Sequence, residues 1–150
     1  MLMAKVNKLI YLASPYTHPN KKIMKTRWIK VCKLSAKLLK KGIHNICPIA
    51  SSEPIARYGH LYSTLWKDWE ALDTNYLKRC DEIYISVLDR EWYKSIGMRA
   101  ELEYALANNI PARLVDRNGN ICSKSNGASI LNTINRLLVM NILKNTETCK

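Results

Sequence analysis

Long apolar runs are missing from this 150-residue sequence, whose uninterrupted hydrophobic stretches last only a few residues. A membrane-spanning helix needs about 20 such residues, so none is expected. The opening segment, MLMAKVNKLIYLASPY, has lysines on either side of a short mixed stretch and then follows a strand pattern, which argues against a secretory signal. We therefore expect a cytoplasmic protein.

Paired cysteines and metal-binding patterns are also absent. The five cysteines are odd in number, with no CxxC pair and no histidine at ligand spacing. They are Cys32, Cys47, Cys80, Cys122 and Cys149. No Walker loop, GxGxxG fingerprint or Cys-His cluster occurs. The sequence thus predicts reduced, mostly buried thiols, and it predicts neither a metal nor a cofactor.

Acidic residues are scarce, since 12 Asp and Glu accompany 24 Lys and Arg and leave a net charge of +12. Many of the basic residues crowd one predicted helix and interleave with apolar ones, which is typical of the wet face of an amphipathic helix. They are Lys21, Lys22, Lys25, Arg27, Lys30, Lys33, Lys37, Lys40 and Lys41. A solvated face is the simpler interpretation, and a nucleic-acid-binding surface is the alternative. An anionic small molecule would suit the charge equally well.

Predicted strands alternate with predicted helices along the chain. The strands are Lys8–Ala13, Ile43–Cys47, Glu82–Leu88 and Ala112–Val115. The helices are Pro19–Lys41, Thr64–Cys80, Ser95–Asn108 and Ala128–Lys144, the last with Ile130, Leu131, Ile134, Leu137, Leu138 and Val139 facing inward. Residues 49–63 have the pattern of a loop or broken helix, and residues 116–127 that of a hairpin or mobile loop.

This alternation predicts one α/β domain over residues 1–150, built on a doubly wound parallel sheet of the Rossmann or flavodoxin-like type with helices on both faces. Ligands of such folds bind beyond the carboxyl ends of the strands. The segments 11–16, 89–101 and the loop after Pro48 are therefore expected to converge at one cleft.

Two acidic side chains lie on apolar helix stripes. Asp73 follows Trp69 by four residues, and Glu101 lies between Met98 and Leu102 in the next helix. A buried carboxylate is costly unless it is paired, so two such placements predict a cleft that contains carboxylates. Because Glu101 lies in the early turns of its helix, the helix dipole is expected to favour its charged form.

The start of that second helix has the features of an anion site. Ser95 suits the capping position, Gly97 allows close backbone approach, and the free amides there attract anions. A capped surface helix with its glutamate at the edge of the stripe is the equal alternative.

Three motifs together resemble the nucleoside 2-deoxyribosyltransferase superfamily: IYLASPY near the start, WxxxDxxYLxxCDEIYI in the middle, and SIGMRAELEYA after it. The resemblance is greatest to the small DUF1937-type branch, with the deoxynucleoside monophosphate N-hydrolases as relatives. It covers residues 8 to 116 and leaves out the predicted helix at 128–144.

The resemblance implies cleavage or transfer of the N-glycosidic bond of a nucleoside or its 5′-monophosphate, as a hydrolase or a transferase. It implies that Glu101 is the nucleophile, that Asp73 handles the base and that Tyr11 orients the nucleophile. Ser95 would contact a 5′-phosphate, and Asp81 would be structural. A homodimer or larger assembly is also implied, because relatives often complete the site with a neighbouring subunit.

The sequence departs from the family pattern at two places. Glu103 stands where relatives often have glycine, and the first loop is Ser14-Pro15-Tyr16 rather than glycine-rich. Both departures bear on the substrate.

Further candidate substrate-binding residues are Ser14, Tyr16, Trp66, Trp69 and Trp92. Tryptophans upstream of Asp73 can stack on a base, with core packing as the alternative. Residues 90–94 can form a lid over a phosphate or a plain loop. The rival functions are a catalytically silent nucleotide-binding module and a nucleic-acid-associated protein that uses the lysine-rich helix.

Overall fold

A computed structural model describes residues 7–63 and 65–147. The strands are β1 Leu9–Ala13, β2 His44–Ile46, β3 Glu82–Val87, β4 Ala112–Asp116 and β5 Ile121–Cys122. The helices are α1 Lys21–Lys40, α2 Pro48–Tyr58, α3 Trp66–Leu77, α4 Ile96–Ala107 and α5 Gly127–Glu147. A 3₁₀ turn at Trp92–Lys94 precedes α4.

The strands form one sheet in the order β2-β1-β3-β4-β5. The first four pair in parallel, and β5 pairs antiparallel with β4. The predicted α/β fold is confirmed, and the order is the flavodoxin-like one. The order reverses direction between β1 and β3, so a ligand crevice is expected beyond the carboxyl ends of these two strands.

The sheet is mixed rather than wholly parallel, which corrects that prediction at its edge, while the antiparallel β4–β5 pair confirms the hairpin alternative for residues 116–127. A tight turn after β4 causes the reversal. The Asp116 carboxylate accepts hydrogen bonds from the backbone amides of Asn118 and Asn120, at 2.8 and 2.9 Å. Gly119 supplies the positive φ, +79°, that this turn requires.

Helices cover both faces of the sheet. On one face, Ile10 and Leu12 of β1 pack with Val31, Leu34 and Leu38 of α1. On the other face, the alternate β1 residues pack with apolar side chains of α3, α4 and α5. These residues include Tyr11, Ala13, Leu77, Met98, Leu102, Ile130 and Ile134. The period of two along β1 therefore divides its side chains between two separate cores.

The region left open as a loop or broken helix contains an 11-residue helix, α2, with Pro54 inside it. Pro48 does not merely end β2, because it occupies the first turn of α2, where its missing N–H costs nothing.

Helix α1 begins after Asn20, whose side chain accepts the Lys22 amide at 2.9 Å. The predicted start of α3 at Thr64 lies outside the described residues.

Two predicted side-chain environments were wrong. Arg27 is only 5% exposed rather than on the wet face of α1, because it lies four residues before Val31 on the buried stripe. Val139 is 56% exposed, while Ile130 and Ile134 are buried as expected. Leu137 and Leu138 are partly buried against the same core, so the exposed apolar side chains of α5 include Val139, Met140 and Ile142.

All cysteines among the described residues are free. Cys47 and Cys80 are buried, Cys32 is half-buried and Cys122 is exposed. Cys149 lies outside the described residues.

No described helix is long and apolar enough to cross a membrane. Residues 7–63 and 65–147 contain no group of three or more His, Cys, Asp or Glu side chains that could hold a metal ion.

Candidate active site

A buried hydrogen bond joins β1 to α4 at the centre of the candidate site. The Tyr11 hydroxyl donates to Glu101 Oε1 at 2.6 Å. Tyr11 is fully buried and Glu101 is 7% exposed. The alternation of β1 turns Tyr11 toward the α4 side of the sheet, and the 3.6-residue period of α4 places Glu101 on the same buried face as Met98 and Leu102. The predicted convergence of segments 11–16 and 89–101 is thereby confirmed for these two residues.

Asp73 is the second buried carboxylate. It is 5% exposed and lies one turn before the buried Leu77 on α3. Its Oδ1 atom is buried and accepts no hydrogen bond from any described residue. An unpaired buried acceptor costs about 1–3 kcal/mol, so this oxygen favours a hydrogen-bond donor from outside the described side chains.

Burial changes the acidity of both carboxyl groups. The pKa of Glu101 is raised to about 8, chiefly by desolvation, with the Tyr11 hydrogen bond lowering it and the nearby Asp73 charge raising it. Desolvation raises the pKa of Asp73 to about 6. The helix dipole was expected to favour the charged form of Glu101 modestly, and the loss of water outweighs such an effect of about 1 kcal/mol.

The two carboxyl groups therefore share roughly one proton between pH 6 and pH 8. Tyr11 does not take part in that titration. Burial, followed by the charges of Glu101 and Asp73, raises the pKa of the Tyr11 phenol far above its ordinary value. Tyr11 thus stays a hydrogen-bond donor. Glu101 and Asp73 together supply one carboxylate and one carboxylic acid near neutral pH.

The amino terminus of α4 is ordered by Ser95. Its hydroxyl accepts the Met98 amide at 3.3 Å, as the capping prediction required. Gly97 lies against the Trp66 ring, and a Cβ added at Gly97 would be 3.4 Å from Trp66 Cε3. Trp66 therefore packs on the start of α4. Whether Ser95 or Gly97 contacts a phosphate stays a prediction.

The other candidate side chains occupy varied surroundings. Trp69 is half-buried and donates its indole N–H to the Ser63 carbonyl at 2.9 Å. Trp92 is 7% exposed and packs in the α4 side core, edge-on to Tyr93. Base stacking by Trp66, Trp69 or Trp92 stays a prediction.

The first loop is closely held to the protein. Ser14 is buried, and its hydroxyl donates to the Pro15 carbonyl at 3.1 Å. Tyr16 is half-buried, and desolvation, then the Glu53 charge, raises the pKa of its phenol. Both residues leave the carboxyl end of β1, the edge at which ligands of this fold bind.

The segment between β3 and α4 is tied down by ion pairs rather than free as a basic lid. Lys94 pairs with Glu91 at 2.7 Å. Arg27 donates to the Asp89 carboxylate and to the Thr17 carbonyl, both at 2.8 Å. Arg90 is exposed and lines a surface depression described below.

Residues 8–117 match the family model described as "Domain of unknown function (DUF1937)". The chain belongs to the DUF1937 family. The predicted family is thereby confirmed.

A search of curated proteins finds no match. Among solved structures, the DUF1937 chain is similar to the 2-deoxyribosyltransferase from the psychrotolerant bacterium Bacillus psychrosaccharolyticus. The two are 19% identical over 83% of this chain and 90% of that chain, with a TM-score of 0.47. At that identity and TM-score the likeness carries no inference about activity.

Two further residues lie near the candidate active site, and the sequence analysis did not predict them there. Cys47 is close enough for its charge to interact with that of Glu101, and desolvation raises the pKa of its thiol to about 12. Glu53 of α2 is paired with Arg57 through one carboxylate oxygen, and its other oxygen is buried and accepts no hydrogen bond from the described residues. The position of Cys47 at the carboxyl end of β2 was a signal that could have identified it.

Proposed function

We propose that this DUF1937 protein cleaves or transfers the N-glycosidic bond of a nucleoside or deoxynucleoside, or of its 5′-monophosphate, with Glu101 as the nucleophile. The single observation that carries the proposal is the Tyr11–Glu101 hydrogen bond, buried beside Asp73, whose Oδ1 atom has no partner among the described residues.

The residue types fit this chemistry. Breaking the bond between base and sugar builds positive charge on the sugar, which a carboxylate beside C1′ stabilises and then traps. The reactive form carries the single proton of the pair on Asp73 and leaves Glu101 ionised, which is the minor arrangement given pKa values of about 6 for Asp73 and about 8 for Glu101. In that form the Glu101 carboxylate attacks C1′ and forms an ester while the C1′–N bond breaks. The electron pair of that bond leaves with the base, which takes the proton of the Asp73 carboxylic acid.

The second half of the reaction restores the carboxylate. If water attacks C1′ of the ester, the protein is a hydrolase and Asp73 recovers the proton. If a second base attacks, the protein is a transferase and the proton of that base returns to Asp73. Hydrolysis and transfer both return one proton to Asp73 and use the same two carboxyl groups.

The buried donor Tyr11 positions the nucleophile in this scheme. Its hydrogen bond holds one Glu101 oxygen and leaves the other available to C1′. Ser95 and the amides at the start of α4 are the proposed contacts of a 5′-phosphate, since a helix amino terminus with a positive dipole favours anions. The net charge of +12 also favours a phosphorylated substrate.

The test is incubation with a panel of nucleosides and 5′-monophosphates, followed by chromatographic detection of free base. Glu101→Gln is expected to lower base release at least about 10³-fold, and Asp73→Asn about 10²–10⁴-fold. Because the pair must hold one proton, release by the unaltered protein is expected to peak between about pH 6 and pH 8.

Glu70→Gln is the control, because Glu70 is exposed on α3, the helix that carries Asp73. It should release base at the unaltered rate. Base release that persists in Glu101→Gln would remove Glu101 from the role of nucleophile.

A catalytically silent nucleotide-binding module is the second candidate. The raised pKa of Glu101 favours it, because a protonated Glu101 is a hydrogen-bond donor to a ligand rather than a nucleophile. Thermal stabilisation by a monophosphate with no base released at any pH from 6 to 9 would support this alternative.

A further inference from the structure

The positive charge of the chain is concentrated on one helix. No acidic residue precedes Glu53 in the sequence, and α1 carries basic side chains with no acidic one. Thr26, Lys30, Lys33 and Lys37 recur at helical spacing along one stripe. This stripe lies next to the buried stripe of α1, so its lysines stand where the helix meets the loops of the sheet.

Two surface depressions follow this stripe and share Lys30. The first has a volume of about 290 Å³, and the second about 330 Å³. The first is lined by Ile23, Thr26, Arg27, Lys30, Asp89, Arg90 and Glu91. The second is lined by Lys30, Lys33, Lys37, Leu88, Arg117 and Asn118. We refer to the continuous surface formed by Thr26, Lys30, Lys33, Lys37, Arg90 and Arg117 as the α1 groove.

Two lysines of the groove and one beside it contact backbone carbonyls rather than carboxylates. Lys30 Nζ contacts the Leu88 carbonyl at 3.5 Å, and Lys37 Nζ donates to the Arg117 carbonyl at 3.0 Å. Lys41 Nζ donates to the Gly119 carbonyl at 2.7 Å. These contacts fix the ammonium groups in place without neutralising their charge.

The acidic residues near the groove are already engaged. Asp89 is bound by the buried Arg27, and Glu91 pairs with Lys94. The Asp116 carboxylate beside Lys41 accepts hydrogen bonds from its own turn. Within residues 7–63 and 65–147, no ion pair involves a lysine or arginine of the α1 groove. Its cations are therefore available to an external anion.

The spacing of the groove indicates an anion with repeated charges. Seven residues of helix separate Lys30 from Lys37, or about 10 Å at 1.5 Å per residue. One strand of a B-form duplex carries a phosphate about every 3.4 Å of its axis and winds around that axis, so this row is long enough to contact more than one phosphate. A single phosphate would occupy only one end of it.

The side chains that line the groove also limit how it would read a nucleic acid. Neither depression is lined by an aromatic residue on which a base could stack. The α1 side of the sheet is opposite the face that holds Tyr11, Met98 and Leu102, so the groove lysines lie across the sheet from these residues.

We propose that the α1 groove binds the phosphodiester backbone of a nucleic acid duplex without reading its bases. Cations that remain unneutralised beside a surface depression release the counterions of the phosphates they contact, and this release drives association. The proposal is independent of the proposed glycosidic activity, since it uses none of the residues assigned to that site.

The test measures binding of a fluorescein-labelled 20-base-pair duplex by fluorescence anisotropy between 50 and 200 mM salt. The unaltered protein is expected to bind with micromolar affinity and a steep salt dependence. Changing Lys30, Lys33 and Lys37 together to glutamine should weaken binding at least tenfold at 50 mM salt. It should also reduce the slope of log K against log salt by about 3.

The matched control changes Lys67, Lys78 and Lys124 to glutamine, which removes the same charge from exposed positions outside both depressions. It should weaken binding less than threefold. Equal losses in the two triple variants would overturn the proposal, because net charge alone would then explain the affinity. Stronger binding to single strands of the same length, or equal binding to vesicles rich in phosphatidylserine, would overturn it as well.

Discussion

Burial gives Glu101 a protonation state that depends on folding. The pKa of Glu101 rises from its ordinary value of 4.5 to about 8, mainly through desolvation. The folded chain therefore holds a proton between these two pH values that the unfolded chain has released. Since rising pH favours the state that binds fewer protons, Glu101 reduces the free energy of unfolding as pH rises from about 4.5 to about 8.

Replacing Glu101 with glutamine should remove this dependence. Glutamine keeps the oxygen that accepts from Tyr11 but needs no proton, so Glu101→Gln is expected to gain stability relative to the unaltered protein across that window. The gain should reach at most about 1.4 kcal/mol per pH unit. Denaturant titrations from pH 5 to pH 9 measure it.

Glu103→Gln is the control for these titrations, because its carboxylate is exposed. Its stability should follow that of the unaltered protein in parallel. If the stability of Glu101→Gln also ran parallel to that of the unaltered protein from pH 5 to pH 9, the folded and unfolded states would bind the Glu101 proton equally.

At the scale of the element, α1 is the helix that ties the loops of the sheet together. Arg27 is buried within it and reaches the Asp89 carboxylate after β3 and the Thr17 carbonyl after β1. These two loops follow the strands that flank the expected crevice. The arginine thus connects one helix to both sides of the candidate site.

Arg27→Leu is expected to lower the free energy of unfolding by about 1.5–3 kcal/mol, because it leaves the Asp89 carboxylate without its charged partner. Lys25→Leu, an exposed change on the same helix, should change it by less than about 0.5 kcal/mol. Adding Asp89→Asn to Arg27→Leu should recover part of the loss, since the unpaired charge is removed. No recovery in the double variant would argue against the ion pair as the cause.

At the scale of the whole molecule, the second half of α5 leaves apolar side chains exposed. Val139, Met140 and Ile142 are between 47% and 61% exposed. Apolar groups so close together on one helix are typical of a protein interface, and a second copy of this chain is the partner that the family resemblance implies. Assembly into a homodimer or larger oligomer stays a prediction.

Light scattering after size-exclusion chromatography tests this assembly. The unaltered chain is expected to elute as a dimer or larger oligomer, and a variant with both Val139→Lys and Ile142→Lys as a monomer. A variant with Asn132→Lys and Asn135→Lys adds the same charge to exposed positions of the same helix and should stay assembled. A monomeric unaltered chain would exclude the assembly.

Much of this protein was predictable because its signals are local. The alternation of strands and helices follows from short-range hydrophobic periods, which are properties of neighbouring residues. The burial of Asp73 and Glu101 followed from their positions on apolar stripes, and the Ser95 cap from its place before such a stripe. The sequence by itself therefore determined the fold class and which carboxylates would be buried.

Only the tertiary structure decided the rest, because the remaining features depend on contacts between distant segments. The Tyr11–Glu101 bond joins residues 90 positions apart, and the desolvation that raises the pKa of Glu101 comes from several elements at once. The burial of Arg27 depends in the same way on what the fold places beside it. The charge state and the hydrogen-bond partners of a residue depend on its surroundings in space, which the hydrophobic periodicity of the sequence does not specify.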